Sequence, residues 1–399
     1  MLAMNGGPKV RTTPFPHWPQ FDDLDRAAVG RALDQGSWWR FGGKEVSSFE
    51  QEFAEFHQAP AALAVTNGSH ALELALEIIG LRPGDEVIVP AYTFIATATA
   101  VQRRGGIPVL VDVDPVTYCM DPAELEAATT ERTRAVIPVH IGGHVADMDA
   151  INTWAEPHGI TVIQDAAQAH GAMWRDQGLG ALGSMATFSF QETKVVTAGE
   201  GGALLLPSEE SYEIAHMRHN CGRAGDLSLR TASSNFRISE MTGALLRVQL
   251  GRLAAQTERR ERQYEKLAAG LAGIPGVVPQ GRDERCTVNP HYMTMFILDP
   301  EELDGLDRDT VSGALFAEGI PAFGCNRAIH RTEAFWTART GPEPAEDLAR
   351  RCPNAEKLGS RGLMIPHQVL LGGDQEIDDI VEGLTKVLAE LPRTGSGHA

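Results

Sequence analysis

Hydrophobic positions along the chain alternate between helical spacing and the short runs that form buried strands. Phe49, Phe53 and Phe56 recur at the spacing of one helix face. Helix-like segments separate several of five β-branched or apolar runs, which lie at 62–66, 86–90, 108–114, 134–140 and 161–166. Such alternation is typical of a largely parallel sheet covered by helices. The sequence therefore predicts an α/β fold with a mostly parallel sheet in a large domain.

The second half of the chain predicts a smaller α+β domain. Two further strand-like runs at 185–190 and 201–207 precede a long helical pattern from 238 to 271, whose second half is charged. Three apolar runs and a final amphipathic helix follow it, at 291–298, 320–323, 363–366 and 376–391. We therefore divide the chain into a large domain with an N-terminal arm (1–250), a small C-terminal domain (251–392) and a flexible tail (393–399).

Composition and charge narrow the class of protein. The 399 residues are 43 % hydrophobic, which excludes a disordered chain. A formal net charge of −18 argues against nucleic acid or an anionic membrane as the main partner. The five cysteines are scattered without CxxC spacing, which predicts reduced thiols and no metal site. With no apolar run of signal-peptide or membrane-spanning length, we expect a cytoplasmic protein.

A turn between a strand and a helix is the first candidate site. Asn67, Gly68 and Ser69 follow the run at 62–66 and precede a helical segment. The exposed N–H groups and the positive dipole of a helix N-terminus bind anions such as phosphate. An ordinary capped helix start explains the same residues, and this turn alone does not decide between the two.

A carboxylate at the end of another strand is the second candidate. Asp165 ends the run at 161–166, and Gln168 follows it as a hydrogen-bond donor. A carboxylate in this position can hold a cationic ring nitrogen, although it can also simply cap the next helix. His170, close behind, is expected to be structural.

A single lysine in an apolar, glycine-flanked segment is the third candidate. Of the six lysines, Lys194 alone combines such a context with a nearby serine, Ser189; Lys44, after a Gly-Gly loop, is the other lysine that placement does not dismiss. Burial favours a neutral, nucleophilic amine. An anion-binding turn, a carboxylate for the ring nitrogen and a reactive lysine are together what pyridoxal 5′-phosphate (PLP) requires. Phe94 could cover the flat ring or belong to the core.

Six motifs in this order resemble the DegT/DnrJ/EryC1/StrS sugar and cyclitol aminotransferases over nearly the whole chain: TNGSHAL, PAYTFIATA, DAAQAHGA, SFQETK, GEGG and SNFRISE. The resemblance implies an aspartate-aminotransferase-like (PLP type I) fold and a PLP-dependent transaminase. It implies that Lys194 forms the Schiff base and moves protons, and that Asp165 pairs with the pyridine nitrogen. It also implies the remaining cofactor contacts: Gln168 at the ring hydroxyl, Phe94 stacked on the ring, and Gly68, Ser69 and Ser189 at the phosphate.

The same resemblance implies a homodimer with sites shared at the interface, because Asn235 resembles the residue that reaches the neighbouring subunit's phosphate. Within the family, the segments FPHWPQ, GSWWRFGGKEV and NPHYMTMF look most like 3-amino-5-hydroxybenzoate synthases and cyclitol aminotransferases of antibiotic biosynthesis. The implied substrates are L-glutamine or L-glutamate as amino donor and a polyhydroxylated six-membered cyclic ketone as acceptor. A synthase that also eliminates water and aromatises the ring is one alternative, and an aminotransferase of nucleotide-linked keto-sugars fits less well.

Four residues are further candidates for substrate contacts: Trp39, Arg40, His330 and His367. Each has a structural alternative: the histidines as parts of the core, and Arg40 as a member of a surface ion pair. Two other functions compete with a transaminase. A sugar dehydratase of the same fold would carry His in place of Lys194, and a catalytically idle relative would have no chemical reason to keep Lys194, Asp165 and Gln168 together.

Overall fold

A computed structural model describes residues 1–299, 301–303, 305–337 and 345–392 of the chain. The tail predicted at 393–399 lies outside these residues. The strands are β1 (Ala61–Val65), β2 (Glu86–Pro90), β3 (Ile107–Val111), β4 (Thr133–Val136), β5 (Thr161–Asp165), β6 (Met173–Trp174), β7 (Gln177–Gly178), β8 (Met185–Ser189), β9 (Gly202–Leu206), β10 (Val277–Pro279), β11 (Cys286–Val288), β12 (Met293–Leu298), β13 (Phe323–Gly324) and β14 (Gly362–Pro366).

The helices alternate with the strands through most of the chain. They are α1 (Asp23–Asp34), α2 (Glu45–Phe56), α3 (Gly68–Ile78), α4 (Ala96–Arg103), α5 (Leu125–Ala128), α6 (Met148–His158), α7 (Glu209–His219), α8 (Glu240–Ala272), α9 (Arg308–Ala317), α10 (Glu333–Thr337), α11 (Ala345–Arg351), α12 (Pro353–Arg361) and α13 (Asp374–Glu390). The long helix predicted from 238 to 271 is confirmed by α8, which Ser239 caps by accepting from the Thr242 N–H.

The large sheet has seven strands in the order β1-β9-β8-β5-β4-β2-β3. Six of them run in one direction, which confirms the mostly parallel sheet. β9 is the exception, since it pairs antiparallel with both β1 and β8. Its side chains are buried throughout, so its sequence shows no polar alternation, and an apolar run does not reveal the direction of a strand.

A smaller antiparallel sheet, in the order β10-β12-β14-β13, lies in the C-terminal part of the chain, as predicted. A third sheet of three short strands, β11-β6-β7, was not predicted, because strands of two or three residues carry no readable periodicity.

The two largest clusters of buried apolar side chains among the described residues correspond to the seven-stranded and the four-stranded sheet. Leu246 and Leu253 in the first half of α8 belong to the cluster of the large sheet, whereas Leu267 and Leu271 in its second half belong to the cluster of the small sheet. The boundary that we propose between residues 250 and 251 therefore lies inside α8, which packs against both parts.

The N-terminal arm is anchored to the small sheet's side of the molecule. Arg11 forms buried ion pairs with Glu376 and Asp379, and the buried carboxylate of Glu318 accepts from the N–H groups of Ala3 and Val10. Among the described residues, we find no helix whose length and hydrophobicity would let it cross a membrane.

Candidate active site at the ends of the central strands

A buried carboxylate marks the end of β5, in the middle of the large sheet. Asp165 is 6 % exposed, and its Oδ2 accepts a 2.8 Å hydrogen bond from Oγ1 of Thr97 in α4. Burial raises the pKa of Asp165, while the Thr97 hydroxyl, the Ala167 N–H and the charge of Lys194 oppose that rise. A cationic group placed beside this carboxylate would gain a strong partner.

Lys194 lies in the connection between β8 and β9, which are neighbours of β5 in the sheet. Its backbone N–H donates to the Gln191 carbonyl at 2.8 Å, which closes a tight turn. Its side chain is half-buried, and Nζ lies 4.3 Å from the centre of the Tyr292 ring. The fold thus brings an amine and a buried carboxylate to the same edge of the sheet.

The turn before α3 packs directly against the end of β8. Asn67 caps α3 by accepting from the His70 N–H at 2.8 Å, and a Cβ added to Gly68 would lie 2.8 Å from Cβ of Ser189. Only glycine fits this close approach without a shift of its neighbours. The first N–H groups of α3, which have no carbonyl partner within the helix, therefore lie beside Ser189, and the exposed Ser69 follows.

Two further predicted residues border this edge. The side chain of Phe94 is 59 % exposed and lies one turn before Thr97, whose N–H donates to the Phe94 carbonyl. Oε1 of Gln168 accepts from the Gly142 N–H at 2.7 Å, which fixes the orientation of the amide. Aromatic residues of a hydrophobic core are mostly buried. The exposure of Phe94 therefore favours a ligand contact over the core alternative.

Asn235 and Trp39 meet on an exposed surface. Together with Trp38, Arg237, Ile238 and Ser239 they line a shallow cavity. The carbonyl of Phe236, next to Asn235, accepts from the Thr66 N–H at the end of β1, so this surface is continuous with the turn that begins α3.

Arg40 is held in the core rather than at the surface. Its guanidinium forms a two-pronged ion pair with Glu50 in α2, with 2.8 Å between Nη2 and Oε2, and the side chain is only 6 % exposed. The charge of Glu50 raises the pKa of Arg40 in spite of burial. The alternative of a surface ion pair is therefore wrong, because the pair is buried. This burial favours a structural role for Arg40, and the substrate contact stays a prediction.

The two candidate histidines are also buried, but they occupy different surroundings. His330 contacts Glu356 through Nε2 at 2.5 Å, and burial lowers its pKa. His367 contacts the carbonyl of Thr193, the neighbour of Lys194, through Nε2 at 3.0 Å. Because a carbonyl only accepts, Nε2 of His367 carries the proton. His170, expected to be structural, is buried and holds the Ser189 carbonyl at 2.8 Å.

Sequence reasoning missed Thr97 and Tyr292. Thr97 stands three residues after Phe94, one helical turn along a segment predicted to follow a strand, so its proximity to Asp165 had a weak sequence signal. Tyr292 is 98 residues beyond Lys194 and immediately precedes β12 of the small sheet, and nothing in the sequence pairs the two.

The fold and the placement of Lys194 and Asp165 define the class: an α/β transaminase of the PLP type I architecture. The sequence profile of the DegT/DnrJ/EryC1/StrS aminotransferase family matches residues 20–385, and the chain belongs to this family. It is thus a PLP-dependent aminotransferase.

The chain is similar to several characterised relatives. It is 47 % identical to a 3-amino-5-hydroxybenzoate synthase of Amycolatopsis mediterranei, over 94 % of this chain and 97 % of the relative. It is 36 % identical to an L-glutamine:2-deoxy-scyllo-inosose aminotransferase of Streptomyces fradiae, with 97 % of each chain covered. The crystal structure of a 3-amino-5-hydroxybenzoic acid synthase matches with a TM-score of 0.92 and 46 % identity, over 96 % of this chain and 100 % of that one.

Proposed function

We propose that this aminotransferase moves an amino group from L-glutamine or L-glutamate to a polyhydroxylated six-membered cyclic ketone in antibiotic biosynthesis. The observation that carries the proposal is the placement of Lys194 and the buried Asp165 at one edge of the sheet, where the charge of the lysine acts on the carboxylate. The relatives support the substrates, because one is named as a glutamine-dependent aminotransferase of a cyclic inosose and another as a synthase of an aminated ring.

The residues present fit PLP. Asp165 would pair with the protonated pyridine nitrogen, Gln168 would contact the ring hydroxyl, and Phe94 would stack on the ring. Gly68, Ser69 and Ser189 would hold the phosphate at the N-terminus of α3, where the absence of a Cβ at Gly68 allows the helix to approach Ser189 closely. When bound, PLP supplies an electron sink that stabilises a carbanion at the carbon from which a proton is removed.

In each half of the transamination cycle, the side chains of the protein would contribute a proton transfer. In the first half Nζ of Lys194 would move the proton from the α-carbon of the amino donor to C4′ of PLP, and in the second half it would move a proton from C4′ to the ring carbon of the ketone that receives nitrogen. Asp165, oriented by the Thr97 hydroxyl, would carry the negative charge that keeps the pyridine nitrogen of bound PLP protonated. Because one lysine serves both halves, donor and acceptor bind in turn at the same place.

We further propose a homodimer in which Asn235 completes the site of the second copy. Asn235 is exposed on a surface that also exposes Trp38 and Trp39, each more than half accessible. Large exposed aromatic residues that cluster on one face are typical of protein interfaces. Trp39 would then lie close to the ring ketone bound by the partner.

A synthase that follows amination with loss of water and aromatisation is the second candidate. The 47 % identity to a relative named for that product favours it. The same lysine would remove the additional proton, so the two candidate functions share one active site. They differ in whether the aminated ring can lose water and become aromatic.

The test is an absorbance titration of the purified protein with PLP, then with L-glutamine or L-glutamate, then with candidate ketones such as 2-deoxy-scyllo-inosose. We expect a visible band that bleaches with the amino donor and returns with the correct ketone. Lys194→Ala should abolish the band, whereas Lys44→Ala, which changes an exposed lysine, should not. An unchanged band in Lys194→Ala would refute the proposal. Loss of one water from the aminated product, detected by mass, would favour the synthase.

A further inference from the structure

Three side chains from outside the large sheet hold the segment that carries Lys194. Nε1 of Trp18, in the N-terminal arm, donates to the Glu192 carbonyl at 2.8 Å. Nε2 of His367 donates to the Thr193 carbonyl at 3.0 Å. The hydroxyl of Tyr292 lies 3.0 Å from Oγ1 of Thr193. Two successive carbonyls and one hydroxyl next to Lys194 are therefore fixed from the small-sheet side.

The three rings also contact one another. Trp18 and His367 pack edge to face with 4.5 Å between their centres, and Tyr292 and His367 are stacked at 6.0 Å. Tyr292 precedes β12 and His367 follows β14, and these strands are paired so that Met293 lies opposite Pro366. The pairing of the two strands thus sets the position of both rings.

Tyr292 has little freedom of its own. Its side chain is 7 % exposed, and its hydroxyl is part of a directed chain. Oγ1 of Thr193 donates to Oε1 of Gln191 at 2.8 Å, so the Tyr292 hydroxyl must be the donor toward Thr193. The ring is held in one orientation, and its face is turned toward Nζ of Lys194 at 4.3 Å.

We propose that Tyr292 is a positioning residue for Lys194, whose amine rests on the ring face whenever it is not bonded to the cofactor. The negative face of an aromatic ring attracts the N–H groups of an amine, whether the amine is neutral or protonated, and attracts a cation within about 6 Å of the ring centre most strongly. The proposed cycle releases this amine in each half-reaction and needs it again at the same place. A fixed resting position keeps Nζ within reach, and this inference rests on the proposed role of Lys194.

The test compares variants that keep or remove the ring. Tyr292→Phe keeps the ring face and loses the hydroxyl, whereas Tyr292→Leu and the longer, unbranched Tyr292→Met remove the ring face. Tyr264→Leu is the control, because Tyr264 is likewise a tyrosine that stacks on a histidine, His291, at 3.8 Å and donates from its hydroxyl to a carbonyl, that of Gln280. Thermal melting shows which variants fold.

The first readout is the rate at which the visible band forms after PLP is added to cofactor-free protein. We expect the ring-free variants to slow this rate and kcat by about 10- to 100-fold, with KM for the amino donor little changed. Tyr292→Phe should restore most of the rate, and Tyr264→Leu should behave like the unaltered chain.

Two results would overturn the inference in different ways. Normal band formation and kcat in folded Tyr292→Leu or Tyr292→Met would refute the role of Tyr292 and leave the proposed function intact. No band in the unaltered protein would refute the role of Lys194, and the inference would fall with it. An equal slowing in Tyr264→Leu would assign the effect to general damage and also overturn the inference.

Discussion

The hydroxyl of Thr97 donates a 2.8 Å hydrogen bond to Oδ2 of Asp165, and both side chains are buried. The two residues lie on α4 and at the end of β5, which the parallel sheet brings together. Since burial raises the pKa of Asp165 and this bond opposes the rise, Thr97 helps to keep the carboxyl ionised.

Thr97→Val should weaken PLP binding. The substitution keeps the shape of the side chain but leaves one oxygen of Asp165 without its donor, so the pKa of Asp165 rises and its charge is less available to the ring nitrogen. A hydrogen bond to a charged group contributes about 1.5–3 kcal/mol, but this bond also exists before PLP binds, so only part of that free energy enters the Kd for PLP, and we expect an increase of up to about 10-fold. Absorbance titration with PLP measures the Kd of each variant. Thr97→Ser, which keeps the hydroxyl, is the control; equal affinity of the valine variant would contradict the prediction.

Gly68→Ala should disturb the phosphate turn. The new Cβ would lie 2.8 Å from Cβ of Ser189, so α3 or β8 must shift, at about 1–3 kcal/mol of unfolding free energy. PLP affinity should fall as well, because the N–H groups move with the helix. The control is Gly30→Ala in α1, where nothing lies within 4 Å of the added atom; this change should stabilise the helix by about 0.5–1 kcal/mol. Urea unfolding compares the two variants, and equal stability would refute the close packing.

Most of the large sheet and the lysine–carboxylate pair could be predicted because their signals are local. Runs such as 87–90 contain only apolar residues, and Asp165 and Lys194 stand at or shortly after the ends of such runs. The direction of β9 could not be predicted, since pairing with β1 and β8 is decided by distant parts of the chain.

The wrong alternative for Arg40 and the omission of Tyr292 have the same cause as the unpredicted direction of β9, which is contact between distant parts of the chain. In the sequence, Arg40 looks like an ordinary surface arginine, and its partner Glu50 stands among the polar positions of α2. No sequence pattern indicates that the fold buries both side chains. Tyr292 reaches Lys194 only because the small sheet docks against the large one. Contacts between elements that are far apart in sequence leave no local pattern.

The buried Arg40–Glu50 pair predicts an asymmetry between single and double substitutions. Glu50→Gln leaves a buried guanidinium without its counter-charge and should lower the unfolding free energy by about 3–5 kcal/mol. Changing both residues, Arg40→Met with Glu50→Leu, removes the charge imbalance and should cost less than the single change, although the Ala64 N–H loses its acceptor Glu50. Urea unfolding at pH 7 measures both. A double variant less stable than Glu50→Gln would show that the pair contributes net stability.

His57 predicts a loss of stability in mild acid. Its Nδ1 lies 3.0 Å from the Phe53 carbonyl and its Nε2 accepts from the Gly171 N–H at 3.1 Å, so the folded chain needs the neutral ring. Burial lowers the pKa of His57 from 6.5 to about 4. Between these two values the unfolded chain binds a proton that the folded chain excludes, so stability is full above pH 6.5 and falls as the pH drops toward 4.

The loss from His57 alone amounts to about 3 kcal/mol, at 1.36 kcal/mol for each unit of pKa difference. We therefore expect His57→Leu, although less stable at pH 7, to lose less stability than the unaltered chain when the pH is lowered from 6.5 to 4. Urea midpoints at several pH values measure this slope. His17→Leu is the control, because His17 is exposed in the N-terminal arm and its removal should leave the slope unchanged. An unchanged slope in His57→Leu would show that His57 accepts a proton in the folded chain and that the Gly171 contact does not hold the ring neutral.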